Sequence, residues 1–197
     1  MWKNSSTRYG FVARLLHWAM FGLLATLIVL GLWMTGLTYY DPWYHRAPAI
    51  HEGLGLLAFL LFVFRVAWRR WDPPPALSPG MPLWEKTIAH WTHRVLYGLM
   101  GIIPVTGYLI TTAKGQAVAV FGWFSLPALL PRQPGMEDLA GVVHLALGLT
   151  LAGLACLHMM AALKHHFIDK DETLVKMVPF LSPPVQIRSL TKEEPLQ

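Results

Sequence analysis

The segment LAGVVHLALGLTLAGLACLHMMAAL, residues 139–163, decides the fold, because it is long, apolar and contains two histidines. A helix needs about 20 apolar residues to cross a hydrocarbon core of about 30 Å. His144 and His158 are fourteen residues apart, which on a helix is nearly four turns, or about 21 Å along one face. The segment therefore predicts a membrane-spanning helix that presents two imidazoles at two depths.

The composition is that of an integral membrane protein, since 54% of the 197 residues are hydrophobic and only 14% are charged. Backbone groups in lipid must be bonded internally, and the alternation typical of barrel strands is absent. We therefore predict an all-α membrane four-helix bundle in residues 1–180 and a polar, disordered tail in residues 181–197. The predicted helices run over about 15–37, 50–68, 88–112 and 139–163.

The distribution of lysine and arginine predicts the orientation. Four spans place both termini on one side of the membrane, and only Arg46, Lys114 and Arg132 fall on the other side. By the positive-inside rule both termini of this multi-pass protein are cytoplasmic. Anionic lipid accounts for the net charge of +5, so we expect no nucleic-acid partner.

This topology sorts four intramembrane histidines into two pairs by depth. His17 and His158 share the cytoplasmic level, whereas His51 and His144 share the outer level. Paired histidines on facing helices hold metal cofactors in bundles, and two axial imidazoles suit a haem that transfers electrons. Structural zinc usually needs four ligands at one place, so zinc fits less well. Such histidines can also be hydrogen-bonded packing residues.

The other cysteine and histidine positions refine this hypothesis. The single Cys156 excludes the CxxCH attachment of c-type haem, so any haem is b-type. His90 and His93, near the cytoplasmic end of the third span, could displace His17 as a ligand, contact a haem propionate or a quinone, or be structural. We expect His165 and His166 to be exposed or at lipid headgroups.

Seven short motifs occur in a specific order between residues 7 and 180. They are RLLHW (14–18), IHEGLG (50–55), AHWTHRVLY (89–97), PVTGY (104–108), VFGWFSLP (120–127), GVVHLALG (141–148) and LHMMAALKHHFIDKDETLVKMVP (157–179). No motif alone is diagnostic, but together they resemble the small bacterial cytochrome b561 family of four-helix, inner-membrane dihaem cytochromes.

The resemblance implies two haem b groups and electron exchange with ubiquinone. By position, His17 and His158 would ligate the cytoplasmic haem, and His51 and His144 the outer one. Some members look like superoxide oxidases, so the expected activity is that of a superoxide:ubiquinone oxidoreductase. The outer cations could steer an anionic donor.

A quinone needs an apolar slot with a few polar groups that bond its carbonyls. The candidate quinone or propionate contacts are His90, His93, Arg94 and Arg14 on the cytoplasmic side, and Lys114, Gln116 and Trp123 on the outer side.

Two other functions stay open. One is a membrane-anchor cytochrome b subunit that passes electrons between the quinone pool and a partner redox protein. The other is a haem-free metal or proton transporter, for which the spans offer few carboxylates, Glu52 being the main one. A partner protein is required for the anchor function, and a haem spectrum would exclude the transporter.

Overall fold

The computed structural model describes residues 1–78, 80–178 and 180–181. Its helices are α1 (Phe11–Met34), α2 (Arg46–Trp71), α3 (Leu83–Thr112) and α4 (Met136–Phe167). Each begins about one turn before the start that apolar composition alone predicts, because a helix continues through the polar and aromatic residues of the membrane interface. All four are long and apolar enough to cross a membrane, which confirms the predicted fold class. The predicted tail lies outside the described residues from position 182 onward.

The helices pack in chain order. α1 lies against α2, α2 against α3 and α3 against α4, whereas α1 and α4 approach each other over only a few residues. The outward faces are covered by exposed apolar side chains, among them Val29, Leu60, Val142 and Leu149. Apolar faces of this extent suit lipid contact rather than water. The bundle interior is therefore least closed along the α1–α4 side.

Two exposed threonines within the spans bond to their own helix. Thr26 donates to the carbonyl of Gly22, and Thr150 donates to that of Ala146, at 2.9 and 2.8 Å. Such internal bonds satisfy a hydroxyl that lipid cannot solvate. The threonines are thus compatible with a membrane environment.

A β-hairpin between α3 and α4 was not predicted from the sequence. Its strands are β1 (Val118–Val120) and β2 (Phe124–Leu126), which pair antiparallel with Val120 opposite Phe124. The turn comprises residues 121–123, in which Phe121 and Gly122 have φ of 49° and 74°. A side chain at positive φ costs about 1–3 kcal/mol and persists only where its surroundings hold it.

The hairpin docks on the start of α2. A Cβ atom added at Gly53 would lie 2.7 Å from the Phe121 ring, so the ring packs directly against the glycine backbone. This contact holds Phe121 in its strained conformation. The hairpin consequently covers α2 two residues from His51.

Candidate haem site

The site is organised by a fourteen-residue spacing that occurs once in every helix. The spaced positions are His17 and Gly31 in α1, His51 and Arg65 in α2, His93 and Gly107 in α3, and His144 and His158 in α4. Fourteen residues span about 21 Å of helix and return to nearly the same face. Because neighbouring helices run in opposite directions, the eight positions form two levels in the bundle.

We call the level near the β-hairpin the hairpin-side level; it comprises Gly31, His51, Gly107 and His144. The other, nearer the chain ends, is the termini-side level; it comprises His17, Arg65, His93 and His158. The contacts described below join the members of each level.

At the hairpin-side level, two imidazoles face each other between two glycines. The ring centroids of His51 and His144 are 6.0 Å apart. A Cβ atom at Gly31 would lie 3.1 Å from His51 Cε1, and one at Gly107 would lie 3.0 Å from His144 Cε1. These distances are shorter than the usual carbon–carbon contact of about 3.5–4.0 Å. Only glycine therefore leaves both rings where they are.

The hydrogen bonds of these rings leave nitrogen atoms available to a metal. His144 Nδ1 lies 3.0 Å from the carbonyl oxygen of Ile103 and 3.1 Å from Thr106 Oγ1. A carbonyl only accepts, so Nδ1–H donates to it and Nε2 keeps its lone pair. His51 Nδ1 is buried without a hydrogen-bond partner among the described residues. The hydrogen bond of His144 is typical of metal-ligating histidines, and the unpartnered nitrogen of His51 is a buried polar atom that a metal would satisfy.

An apolar cavity surrounds the same pair. It has a volume of about 300 Å³ and is lined by residues of all four helices, including both histidines. Small residues from two helices widen it: Gly55 and Ala58 on α2, and Gly141 and Gly148 on α4. Cofactor pockets have volumes of about 300–1,000 Å³ and mostly apolar walls. The residues here thus fit a flat apolar cofactor with axial imidazoles.

The ring separations match two ligands on opposite sides of one metal atom. A metal–imidazole bond of about 2.0–2.1 Å, with the ring centroid roughly 1.1 Å beyond the nitrogen, puts the two centroids about 6 Å apart. The measured centroid distances are 6.0 Å for His51–His144 and 6.3 Å for His17–His158. Both predicted pairs therefore lie at the distance that bis-imidazole ligation requires.

The termini-side level contains a third histidine. The ring of His93 lies 5.2 Å from that of His158, closer than the 6.3 Å between His17 and His158. A separation of 5.2 Å is short for two ligands across one metal atom, so the distances favour His17 as the partner of His158. His93 lies beside this pair and is half-buried.

Arg65 occupies the remaining position of this level and was not predicted as a site residue. Its Nη2 donates to His17 Nδ1 at 3.0 Å, its Nη1 to the carbonyl of Leu16 at 3.2 Å, and its Nε to the Tyr97 hydroxyl at 2.9 Å. The sequence signal was available: an arginine inside an apolar span, fourteen residues after His51. In the sequence, Arg65 contributes only a positive charge that indicates orientation.

Of the four candidates on the termini side, His93 is the one whose ring contacts a histidine of the proposed pair, His158. His90 is exposed, and its Nδ1 lies 2.6 Å from the carbonyl oxygen of Lys86 in its own helix. Arg94 is exposed over the ring of Trp91, 5.1 Å from the centroid, and Arg14 is half-buried near the start of α1.

The three candidates on the hairpin side lie at the surface. Lys114 and Gln116 are exposed between α3 and β1, and Trp123 is 84% exposed at the hairpin turn. Trp123 contacts the Phe121 ring, with the two centroids 5.9 Å apart. None of the three enters the cavity between the histidines.

We expected His165 to be exposed or at lipid headgroups, and the first of these alternatives was wrong. Its side chain is only 12% exposed and lies within a cluster of charged groups at the end of α4. Lys164 Nζ donates to Glu85 Oε1 at 2.7 Å and lies 2.8 Å from Asp169 Oδ2. His166 is half-buried as well. Because Lys164 pairs with Glu85 of α3 and with Asp169 just after α4, we assign this cluster to the joining of α3 and α4 rather than to a metal.

The helices, the two histidine levels and the apolar cavity define a class, that of membrane-embedded cytochromes of the b type. More narrowly, the chain belongs to the prokaryotic cytochrome b561 family, whose model matches residues 8–180. This family carries electrons across the membrane and binds b-type haem.

Curated relatives agree with this assignment. The chain is 42% identical to "Cytochrome b561 homolog 2" of Escherichia coli K12 over 175 residues, 89% of this chain and 93% of that protein. It is 29% identical to "Probable superoxide oxidase CybB" of Yersinia pestis over 71% of this chain and 77% of that protein. "Cytochrome b561 homolog 1" of E. coli K12 is 26% identical over 66% and 73%, respectively.

Proposed function

We propose that this protein is a superoxide:ubiquinone oxidoreductase of the bacterial inner membrane that conducts electrons through two haem b groups. The observation that carries the proposal is the presence of two imidazole pairs, with ring centroids 6.3 and 6.0 Å apart, at two depths of one bundle. His17 and His158 would ligate one iron, and His51 and His144 the other. When bound, haem with two axial imidazoles supplies one-electron transfer without an open coordination position.

The protein residues orient the ligands and keep water out. The Ile103 carbonyl fixes the tautomer of His144, and Gly31 and Gly107 leave room for the two rings of the hairpin-side level. The apolar cavity walls exclude water, which lowers the reorganisation that accompanies each electron transfer. These features suit a conductor between two membrane faces.

The proposed reaction balances with two donors for each acceptor. Two superoxide anions each lose one electron and become dioxygen, and one ubiquinone takes up both electrons and two protons to become ubiquinol. Arg46, Lys114 and Arg132 are exposed on the hairpin side, where positive charge would raise the encounter rate of an anion. The similarity to a probable superoxide oxidase supports this donor.

For the quinone, the structure favours the termini-side level. His93 is half-buried next to His158, whereas Lys114, Gln116 and Trp123 are exposed, outside the apolar interior. A quinone arriving from lipid between helices needs an apolar approach and one polar contact. We therefore place its carbonyl contact at His93 in preference to the six other candidates.

The test is haem quantification and spectroscopy on the purified protein and two variants. We expect two haem b per chain in the wild type, with reduction by superoxide and reoxidation by ubiquinone. His144→Ala should lose the hairpin-side haem and His158→Ala the termini-side haem, each leaving about one haem per chain. If either variant kept both, the ligand assignment on α4 would be wrong.

The same experiment separates the alternative functions. Two haems that superoxide does not reduce, together with a co-purifying redox protein, would instead identify a membrane anchor. Absence of haem from the wild type would contradict the proposal and favour a transporter. His90→Ala is the matched control, because His90 is exposed and bonds within its own helix.

A further inference from the structure

The cavity of the hairpin-side level opens to the outside of the bundle between α1 and α4. Among the described residues that line it, the exposed ones are Leu32 in α1, Thr35 directly after α1, and Leu145 and Leu149 in α4. The lining residues that come from α2 and α3 are all buried or half-buried. We call the gap edged by Leu32, Leu145 and Leu149 the lateral opening.

The β-hairpin covers the end of the cavity nearest the membrane surface. Phe121 packs directly against Gly53, where an added Cβ would lie 2.7 Å from its ring. Val118 and Val120 of β1 are buried as well, and β1 lies against α2. A molecule that left the cavity by this end would therefore have to displace the hairpin.

Buried side chains close the cavity toward the termini-side level. Ala58 and Leu151 each lie seven residues after a histidine, His51 and His144 respectively. Seven residues are nearly two turns, so both positions lie about 10 Å further along the same helix faces. Both residues line the cavity and are buried. The side between α1 and α4 is thus the least obstructed way out.

The face of α4 beside the lateral opening is not packed against another helix. Apart from its own helix, a Cβ at Gly141 or Gly148 would meet no atom of the described residues within 4 Å. A glycine that serves helix packing lies against a neighbour, as Gly101 does, where a Cβ would lie 3.3 Å from the Phe62 ring. Because α1 and α4 contact each other over only a few residues, they can separate here with little loss of packing.

We propose that the lateral opening admits haem b to the hairpin-side level sideways, from the lipid bilayer. Haem is flat and largely apolar, so it partitions into membranes, and a passage edged by leucine side chains suits it. This inference rests on the proposed ligation by His51 and His144. It adds the route by which their cofactor arrives and leaves, and it is independent of the ligands at the termini-side level.

The rate of haem release from the loaded protein tests the proposal. The wild type and the His158→Ala protein, which should keep only the hairpin-side haem, are placed in lipid vesicles. Transfer of haem to excess apomyoglobin outside the vesicles is then followed by absorbance. Leu149→Trp narrows the lateral opening, and Leu149→Ala widens it. Leu60→Trp is the matched control, because Leu60 of α2 is 56% exposed, against 51% for Leu149, and does not line the cavity.

We expect Leu149→Trp to slow release by roughly fivefold or more, because extra volume in a packed passage raises the barrier. Leu149→Ala should release haem faster than the wild type, and Leu60→Trp at the wild-type rate. Uptake from vesicles that contain haem should change by the same factor as release, which leaves the affinity unchanged. A residue that only contacted the bound cofactor would change the affinity instead.

Three results would overturn the proposal. One is equal release rates with leucine, tryptophan and alanine at position 149. The second is a changed affinity with an unchanged rate of uptake. The third is faster release in Gly53→Ala without any effect of Leu149→Trp, since haem would then leave past the hairpin.

A reducible cross-link decides the matter if Leu149→Trp does not fold or does not retain haem. Leu32→Cys and Leu149→Cys are joined in a Cys156→Ser background, because Cys156 is exposed. The cross-link should slow release and its reduction should restore the rate, and an unchanged rate would contradict the proposal. A wild type without haem would overturn both this inference and the proposed function. Haem that superoxide does not reduce would overturn the proposed function alone.

Discussion

Substitution of Gly107 by alanine should weaken haem binding at the hairpin-side level while leaving the bundle folded. The added Cβ would lie 3.0 Å from His144 Cε1 and 3.3 Å from its Nδ1. An ordinary contact needs about 3.5–4.0 Å, so the ring must move by roughly 0.5 Å or more. Metal–ligand distances are held to within about 0.2 Å, so a displacement of this size exceeds what ligation tolerates.

The free-energy cost of Gly107→Ala to haem binding lies between two limits. Forcing one extra methyl group into a packed interior costs about 1–3 kcal/mol, which weakens haem binding by roughly 5- to 150-fold. The loss falls on the hairpin-side level alone, because the termini-side level lies about 21 Å further along the helix.

The assay is haem quantification with a reduced-minus-oxidised spectrum, followed by titration of haem into the purified variant. We expect the affinity of the hairpin-side level for haem to fall by this factor, and the haem content of the purified variant to fall below two per chain. Gly98→Ala is the matched control on α3, because its Cβ would meet nothing within 4 Å. A Gly107→Ala protein with two haems bound as tightly as in the wild type would refute the reasoning, and so would an equal loss in Gly98→Ala.

Two further predictions concern the two ends of the bundle. Gly53→Ala should displace the hairpin, because its Cβ would lie 2.7 Å from the Phe121 ring. Limited proteolysis between α3 and α4 should then be faster than in the wild type. Gly55→Ala is the control, because its Cβ would meet nothing within 4 Å, and its rate of proteolysis should equal that of the wild type. The hydrogen bond from Lys164 holds the pKa of Asp169 below its ordinary value of 3.8. Its stabilisation is therefore complete above that value and is lost as the pH falls through the lower folded-state pKa. Thermal unfolding of Asp169→Asn should differ from the wild type above pH 3.8 and converge with it in stronger acid, and a difference that persists there would contradict this assignment.

The sequence predicted the four spans and the sorting of histidines by depth, because both follow from helix geometry and apolar length. His51 and His144 could be matched by depth alone, and the structure brings their rings within 6.0 Å. The rotation of one helix against another could not be predicted, since it depends on packing between helices. His90 and His93 were therefore equivalent in the sequence, although only His93 faces the interior.

The roles of Gly31 and Gly107 and the presence of the hairpin also depend on packing, so the sequence alone does not predict them. Gly31 and Gly107 look like any small residues of a membrane helix until the partner ring across the interface is known. The strands Val118–Val120 and Phe124–Leu126 are each too short to show an alternation of apolar and polar residues. Their turn also places a phenylalanine at positive φ, where propensity predicts glycine. Tertiary contact with Gly53 overrides that preference.

The fourteen-residue spacing restricts how the chain can change length. One inserted residue between His144 and His158 would rotate everything beyond it by about 100° and shift it by about 1.5 Å, which turns an imidazole from the interior toward lipid. Substitutions on the lipid face leave this register intact, and insertions in the connecting loops do as well. Insertions and deletions in this protein should therefore be confined to the loops and termini, while each helix keeps a fixed count of residues between its two levels.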